Sequence, residues 1–278
     1  MAWQAAARRV AHQVGLEPRY LRRLRWIAKA KAVRAADAPI HRHLRFVLAD
    51  PEPANFTYEL ENEDQMASWV AAVARSDPSA TQSVLQEAHS DRRLESRLRE
   101  ATSCHRSWSK RSPPFGKRLA WYALVRLLRP GLVVETGVDD GLGALALLRA
   151  LERNREEGHP GRLVSFDVNP AAGWIVGEHP LWELRIEPTR TGLPALLRDA
   201  PGVGLFIHDS LHTYENEHFE LRTVAPRLTP SGVLISDNAH ATTALADVCN
   251  EFGFRYLEFH ERPARHFYRG GTIAAGRA

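Results

Sequence analysis

Cysteine is nearly absent from this chain: its 278 residues hold two, Cys104 and Cys249, alongside two methionines. Two cysteines build neither a disulfide framework nor, by themselves, a zinc site, and a reducing cytoplasm is the expected compartment. No apolar run approaches the roughly 18 residues that a membrane span requires. The N-terminus lacks the apolar stretch of a secretory signal. Its opening segment, MAWQAAARRVAHQVG, carries arginines and no acid, as transit peptides do. More basic helical sequence follows without a break, so the segment is taken as an ordinary amphipathic helix. Internal repeats and long low-complexity tracts are lacking as well.

What remains is the composition of a water-soluble globular protein, 44% hydrophobic and 25% charged. The length suits one large domain, or one domain with an appendage. The net charge of +4 is unevenly spread. Residues 1–118 hold 21 Lys+Arg against 13 Asp+Glu, and the remainder is acidic. A basic arm suits nucleic acid, an anionic membrane surface or an acidic partner. It has no RNA-binding signature, so a solvated helix face docked on the acidic remainder is the preferred reading.

Apolar positions Val10, Val14, Leu21, Leu24 and Ile27 recur at helical spacing, which predicts one or two helices over residues 1–36. After Pro39 a helical stretch runs to Leu48, followed by a turn at 50–53. A helix with an acidic first turn is expected over 62–75, and another from Pro78 to about Glu100. Polar residues and the Pro113-Pro114 pair then form a linker.

From Leu119 short apolar runs alternate with helical stretches, the pattern of βα units and a mostly parallel sheet. The strand candidates are 132–135, 163–167, 184–187, 204–208 and 232–236, with a terminal antiparallel pair at 254–259 and 266–269. The expected fold is therefore a doubly wound α/β domain over 113–278, behind a helical N-terminal region over 1–112. Ligands in such sheets gather at the carboxyl ends of the strands, and several of these strands end on a polar or acidic residue.

The most informative stretch is Val133-Val134-Glu135-Thr136-Gly137-Val138-Asp139-Asp140-Gly141-Leu142-Gly143, in which a strand enters a glycine-rich turn and then a helix. Gly137 lets the turn form tightly, and Gly141 and Gly143 let a ligand and the strand approach the backbone. The spacing E-x-G-x-x-x-G differs from the dinucleotide fingerprint G-x-G-x-x-G. The next strand ends on Asp167, whose two oxygens can accept both hydroxyls of a ribose. Farther on, Asp209-Ser210-Leu211-His212 and Asp237-Asn238 follow the fourth and fifth strands. Two carboxylates and an amide oxygen would supply half an octahedron to a hard cation such as Mg²⁺.

The glycine-rich turn resembles motif I of the class I S-adenosylmethionine (SAM)-dependent methyltransferases. That resemblance implies a Rossmann-like core, SAM as cofactor, Glu135 at its methionyl end, Gly137 and Gly141 in the turn, and Asp167 on its ribose. The adenine contact is expected around 187–191. The later motifs are similar to those of metal-dependent O-methyltransferases of the catechol type and of bacterial natural-product enzymes, which carry D-x-x-H after the fourth strand. By that likeness Asp209, Asp237 and Asn238 hold Mg²⁺ or Mn²⁺. Asn238 departs from the acidic pair common in the macrolide-sugar members. The alternative is a metal-independent pocket shaped by the two aspartates. His212 is the expected general base, His208 its rival, and His240 has no assigned role.

The leading functional expectation is O-methylation of a small hydroxylated metabolite or natural product. An RNA methyltransferase using the basic N-terminal region and a non-catalytic SAM-fold module are the alternatives. The N-terminal region is expected to act as a lid or as a contact in a homo-oligomer.

Overall fold

The computed structural model describes residues 58–102, 115–264, 266 and 268–277, with Tyr20, Leu24, Leu44 and Leu48 as isolated positions. The helices expected over 1–36 and up to Leu48, the turn at 50–53 and the linker with Pro113-Pro114 lie outside the described residues. Among the described residues no helix is long and apolar enough to cross a membrane.

Seven strands form one sheet: β1 (Leu132–Thr136), β2 (Arg162–Asp167), β3 (Trp182–Ile186), β4 (Val203–His208), β5 (Leu228–Ser236), β6 (Arg255–His260) and β7 (Thr272–Arg277). Their order is β3-β2-β1-β4-β5-β7-β6. The first five pair in parallel, and β7 runs antiparallel to both of its neighbours. Strands β1 and β4 are buried at every position, as unbroken apolar runs must be when helices cover both faces of a parallel sheet. The chain leaves β1 toward β2 and β3, then crosses back to β4. That reversal makes a topological switch point at the carboxyl ends of β1 and β4, the place where ligands bind in open α/β sheets.

Eight helices accompany the sheet among the described residues: α1 (Glu63–Ala74), α2 (Pro78–His89), α3 (Arg92–Thr102), α4 (Arg118–Leu128), α5 (Leu142–Glu156), α6 (Thr189–Asp199), α7 (Tyr214–Val224) and α8 (Ala244–Phe252). Alternate strand residues feed the two faces, as the twofold period requires. Val133, Ile207 and Ile235 pack with α1, α2, α4 and α5. Val134, Phe206 and Leu234 pack with α6, α7 and α8.

Three expectations about the elements are corrected. The last strand is β7 at Thr272–Arg277 rather than 266–269. Its Ala274 and Ala275 are fully buried between β5 and β6, where little side-chain volume is tolerated. The single helix expected from Pro78 to Glu100 is two, because the Asp91 carboxylate accepts from the backbone N–H groups of Arg93 and Leu94, both at 3.0 Å, and so starts α3 afresh. Strand β3 begins at Trp182, ahead of the expected 184–187, and lies half-exposed at the sheet edge.

Among the described residues, α1 and α2 share the core of the sheet and have none of their own. Met66, Trp69, Val70, Val73 and Leu85 belong to the cluster that contains Trp121, Leu124 and Leu147. Truncating one large buried side chain costs about 2–5 kcal/mol, against a total stability of about 5–15 kcal/mol. A chain begun at residue 113 is therefore expected to lack a cooperative thermal transition. Near-UV circular dichroism on heating checks this, and a sharp transition in the truncated chain would show that the sheet folds without α1 and α2.

Candidate active site

Strand β1 delivers Glu135 and Thr136 to the switch point and then turns at Gly137, whose φ is +81°. Gly137 donates its N–H to the Phe166 carbonyl at 2.8 Å, and Asp209 donates its own to the Thr136 carbonyl at 2.8 Å, so the turn is tied to β2 and β4 at once. A Cβ on residue 137 would sit 2.2 Å from the Asp209 carbonyl oxygen. Glycine is needed there because two backbones meet. Gly141, at φ +97°, opens α5, and a Cβ there would press on the Gly173 backbone at 2.9 Å. A Cβ on Gly143 would meet the Trp121 ring at 2.4 Å, so these two glycines serve packing of the turn against its own protein neighbours.

The Asp167 carboxylate accepts from the N–H groups of Val138 (2.8 Å), Asp139 (3.2 Å) and Asn169 (2.8 Å), which bolts the end of β2 to the turn. Glu135 is 1% exposed. The Ser165 hydroxyl donates to it at 2.8 Å and itself accepts from the Trp182 indole N–H at 3.0 Å. Burial pushes the Glu135 carboxyl up to about 8, the Ser165 hydrogen bond working against it. In the region expected to meet adenine, the Thr189 hydroxyl donates to Glu220 at 2.7 Å.

The other half of the site lies at the ends of β4 and β5. Asp237 donates its backbone N–H to the His208 carbonyl at 2.8 Å, holding the two loops side by side. His212 Nε2 lies 3.6 Å from Asp209 Oδ1 and 3.0 Å from the Asn238 amide nitrogen. Its Nδ1 is shielded from solvent and has no hydrogen-bond partner among the described residues. Burial works to lower the His212 pKa, but the Asp209 carboxylate outweighs it and leaves the imidazole above its ordinary value. Asn238 adopts φ +54°, a left-handed conformation that asparagine tolerates.

His208, the rival base, is fully buried, and its Nδ1 lies 2.7 Å from Glu220. Glu220 also accepts from Thr136, Thr189, Ser210 and Asn216. One carboxylate of α7 thus braces the ends of β1 and β4 and the β3–α6 connection. Three residues earlier on the same helix, buried Glu217 accepts from Thr242 at 2.7 Å and from Ser236, fixing the loop after β5. Neither glutamate was singled out from the sequence, where both look like the polar face of an amphipathic helix.

Lys117 was missed too. It precedes α4, and its Nζ lies 2.6 Å from both oxygens of Asp237 and 3.8 Å from Glu261. Glu261 is fully buried and accepts from the Tyr58 hydroxyl at 2.8 Å. Burial acts to lower the Lys117 pKa, but Asp237 and Glu261 outweigh it and keep the ammonium charged. Asp237, despite its own burial, is held below the usual carboxylate range by Lys117, while burial and Asp237 together push Asp209 up. The one sequence signal for Lys117 is its place directly before a helix buried along most of its length.

Asp209, Asp237 and Asn238, expected to hold Mg²⁺ or Mn²⁺, do come together. The donor set nevertheless fits a divalent ion poorly, because an ammonium already engages both Asp237 oxygens. No group of three or more His, Cys, Asp or Glu residues among those described has the arrangement of a metal site.

Residues 134–239 match the family model described as a methyltransferase domain. None of the curated proteins matches the chain. Similar solved structures include an O-methyltransferase from Bacillus cereus in complex with SAH (15% identity, 68% of this chain and 91% of that chain covered, TM-score 0.48). Another is O-methyltransferase TomG from Streptomyces achromogenes, involved in tomaymycin synthesis, in complex with SAM (19% identity, 66% and 90% covered, TM-score 0.46). A putative O-methyltransferase from Klebsiella pneumoniae is a third (17% identity, 70% and 90% covered, TM-score 0.46). The matched segment, residues 134–239, holds the glycine-rich turn and the switch point of the sheet, so it is this part of the chain that resembles a methyltransferase domain.

Proposed function

We propose that the protein moves the methyl group of SAM to a hydroxyl oxygen of a small molecule. The observation that supports this best is the His212–Asp209 pair, set beside Asn238 on a loop in backbone contact with the cofactor turn. Ionised Glu135 would hold the cofactor's α-ammonium, and Asp167 has lone pairs left for the ribose hydroxyls. Rotating the Asn238 amide by half a turn presents its oxygen to His212 Nε2–H, as does Asp209, and the Nδ1 lone pair then serves the acceptor once a turn of the imidazole brings it out of its shielded position. The acceptor oxygen then attacks the sulfonium methyl. The new O–CH₃ bond forms as the S–CH₃ bond breaks, the bonding pair returns to sulfur to give the thioether SAH, and the hydroxyl proton passes to His212. No step here uses a metal.

Leu211, 64% exposed, and half-exposed Tyr214 flank this loop, which suits an acceptor with an apolar or aromatic body. Nucleic acid is the less favoured acceptor and the cytoplasm the proposed compartment. Incubating the full chain with methyl-labelled SAM, a panel of hydroxylated small molecules and, separately, total RNA tests the reading. Label in an alkali-stable ether of a small molecule is expected; label entering RNA alone, or no acceptor, would overturn it.

A further inference from the structure

Lys117 plays no part in the steps just described, yet it is the only cation that touches Asp237 among the described residues. Its ammonium is nearly equidistant from both carboxylate oxygens, at 2.6 Å each, and its side chain is 9% exposed against 2% for Asp237. Glu261 Oε1 stands 3.8 Å away and is itself held by the Gly271 N–H at 3.3 Å. The lysine is thus gripped from two sides, by the loop after β5 and by the residue that follows β6. A hard divalent cation needs those same Asp237 oxygens, because oxygen donors are what it binds. Two cations cannot share one buried carboxylate without strong mutual repulsion, which the low-dielectric surroundings do little to screen.

We propose that Lys117 is the built-in cation of the acceptor site, standing where related chemistry would place a divalent ion, so that this protein runs its methyl transfer without metal. The inference rests on reading the site as a methyltransferase. Its physical content is a substitution of charge. A fixed ammonium neutralises Asp237 and keeps it aligned beside Asp209, and it does so without the coordination positions by which a metal would bind acceptor oxygens. The acceptor is then activated by His212 and Asp209 alone, which suits hydroxyls that need one proton removed and no chelation of two neighbouring oxygens.

The test uses metal-stripped, full-length protein titrated with Mn²⁺, bound ion being read by electron paramagnetic resonance and by calorimetry. The parent is expected to bind no stoichiometric Mn²⁺ at micromolar concentrations and to show the same thermal midpoint with Mn²⁺ or with EDTA. Lys117→Ala frees both Asp237 oxygens and is expected to bind Mn²⁺ at least about tenfold tighter than the parent, a change of about 1.4 kcal/mol. Removing a cation from among buried carboxylates also lowers stability, so Mn²⁺ should raise the thermal midpoint of Lys117→Ala and leave that of the parent unmoved. One Mn²⁺ per parent chain at micromolar concentration would overturn the proposal, as would a Lys117→Ala protein that folds and binds Mn²⁺ no better than the parent. Should that variant not fold at all, the parent titration decides by itself. Calorimetry with SAM on the same samples separates the readings: a parent that binds no SAM removes the methyltransferase mechanism, whereas the Mn²⁺ result speaks to Lys117 alone.

Discussion

Replacing His212 with alanine is expected to slow methyl transfer by about 10²–10⁴-fold, the usual contribution of a positioned general base, while SAM binding measured by calorimetry stays near parental. The separation follows from the layout. His212 sits with Asp209 and Asn238 at the ends of β4 and β5, whereas Glu135 and Asp167 belong to β1 and β2. The sign of the pH dependence follows from the raised imidazole pKa. His212 accepts a proton only when neutral, so the parent rate should climb as pH rises through a value above the ordinary 6.5 or so and then level off. In the alanine variant that rise should vanish. His208→Ala provides the contrast, because its Nδ1 bonds Glu220 inside the core. Its loss should appear first as a lower thermal midpoint, since Glu220 would be left with one buried partner fewer. A His212→Ala enzyme that keeps most of its activity, beside a well-folded His208→Ala enzyme that loses it, would move the base to His208.

The choice between these two histidines shows where the sequence stops being legible. Both follow an apolar run, four residues apart, and nothing in their order says which is buried. Burial decides it, and burial depends on α7 laying Glu220 across the strand ends. Strands β1 and β4 were plain in the sequence because burial on both faces demands an unbroken apolar run. Strand β7 was not, since alanine and glycine between two neighbouring strands resemble a loop. The glycine-rich turn between β1 and α5 was legible as a turn because its residues are contiguous, and Asp167, which accepts from its backbone, lies one strand away. Lys117 was not, for it meets Asp237 across 120 positions of sequence and is hidden among the surplus cations of the first 118 residues. A pairing made by tertiary packing leaves no local trace, so the sequence shows the carboxylate of Asp237 and not the ammonium that faces it.

Cofactor affinity should fall about tenfold for each pH unit below 7.5, over at least two units, and the slope should disappear in Glu135→Gln. The cause is the burial that pushes the Glu135 carboxyl up to about 8 in the free protein. Below that value the group is protonated, and a carboxylic acid must lose its proton before it can pair with the α-ammonium of SAM. Each unit costs about 1.4 kcal/mol of binding free energy, so proton release should be visible as a calorimetric enthalpy that varies with the ionisation enthalpy of the buffer. Measurements belong below about pH 7.5, because a free α-amino group itself titrates near 7.7–8.0. Stability without cofactor carries the opposite sign. A carboxyl raised from an unfolded value of 4.5 to about 8 binds more protons in the folded state across that window. Its contribution therefore declines as pH rises from the lower value to the upper, and Glu135→Gln should flatten the thermal midpoint there. The isosteric amide also loses the charge-assisted contact, worth roughly 1.5–3 kcal/mol, so at pH 7.5 the variant should bind SAM about 10–150-fold more weakly. A Glu135→Gln protein with parental affinity and an unchanged pH slope would take the ammonium contact away from this residue.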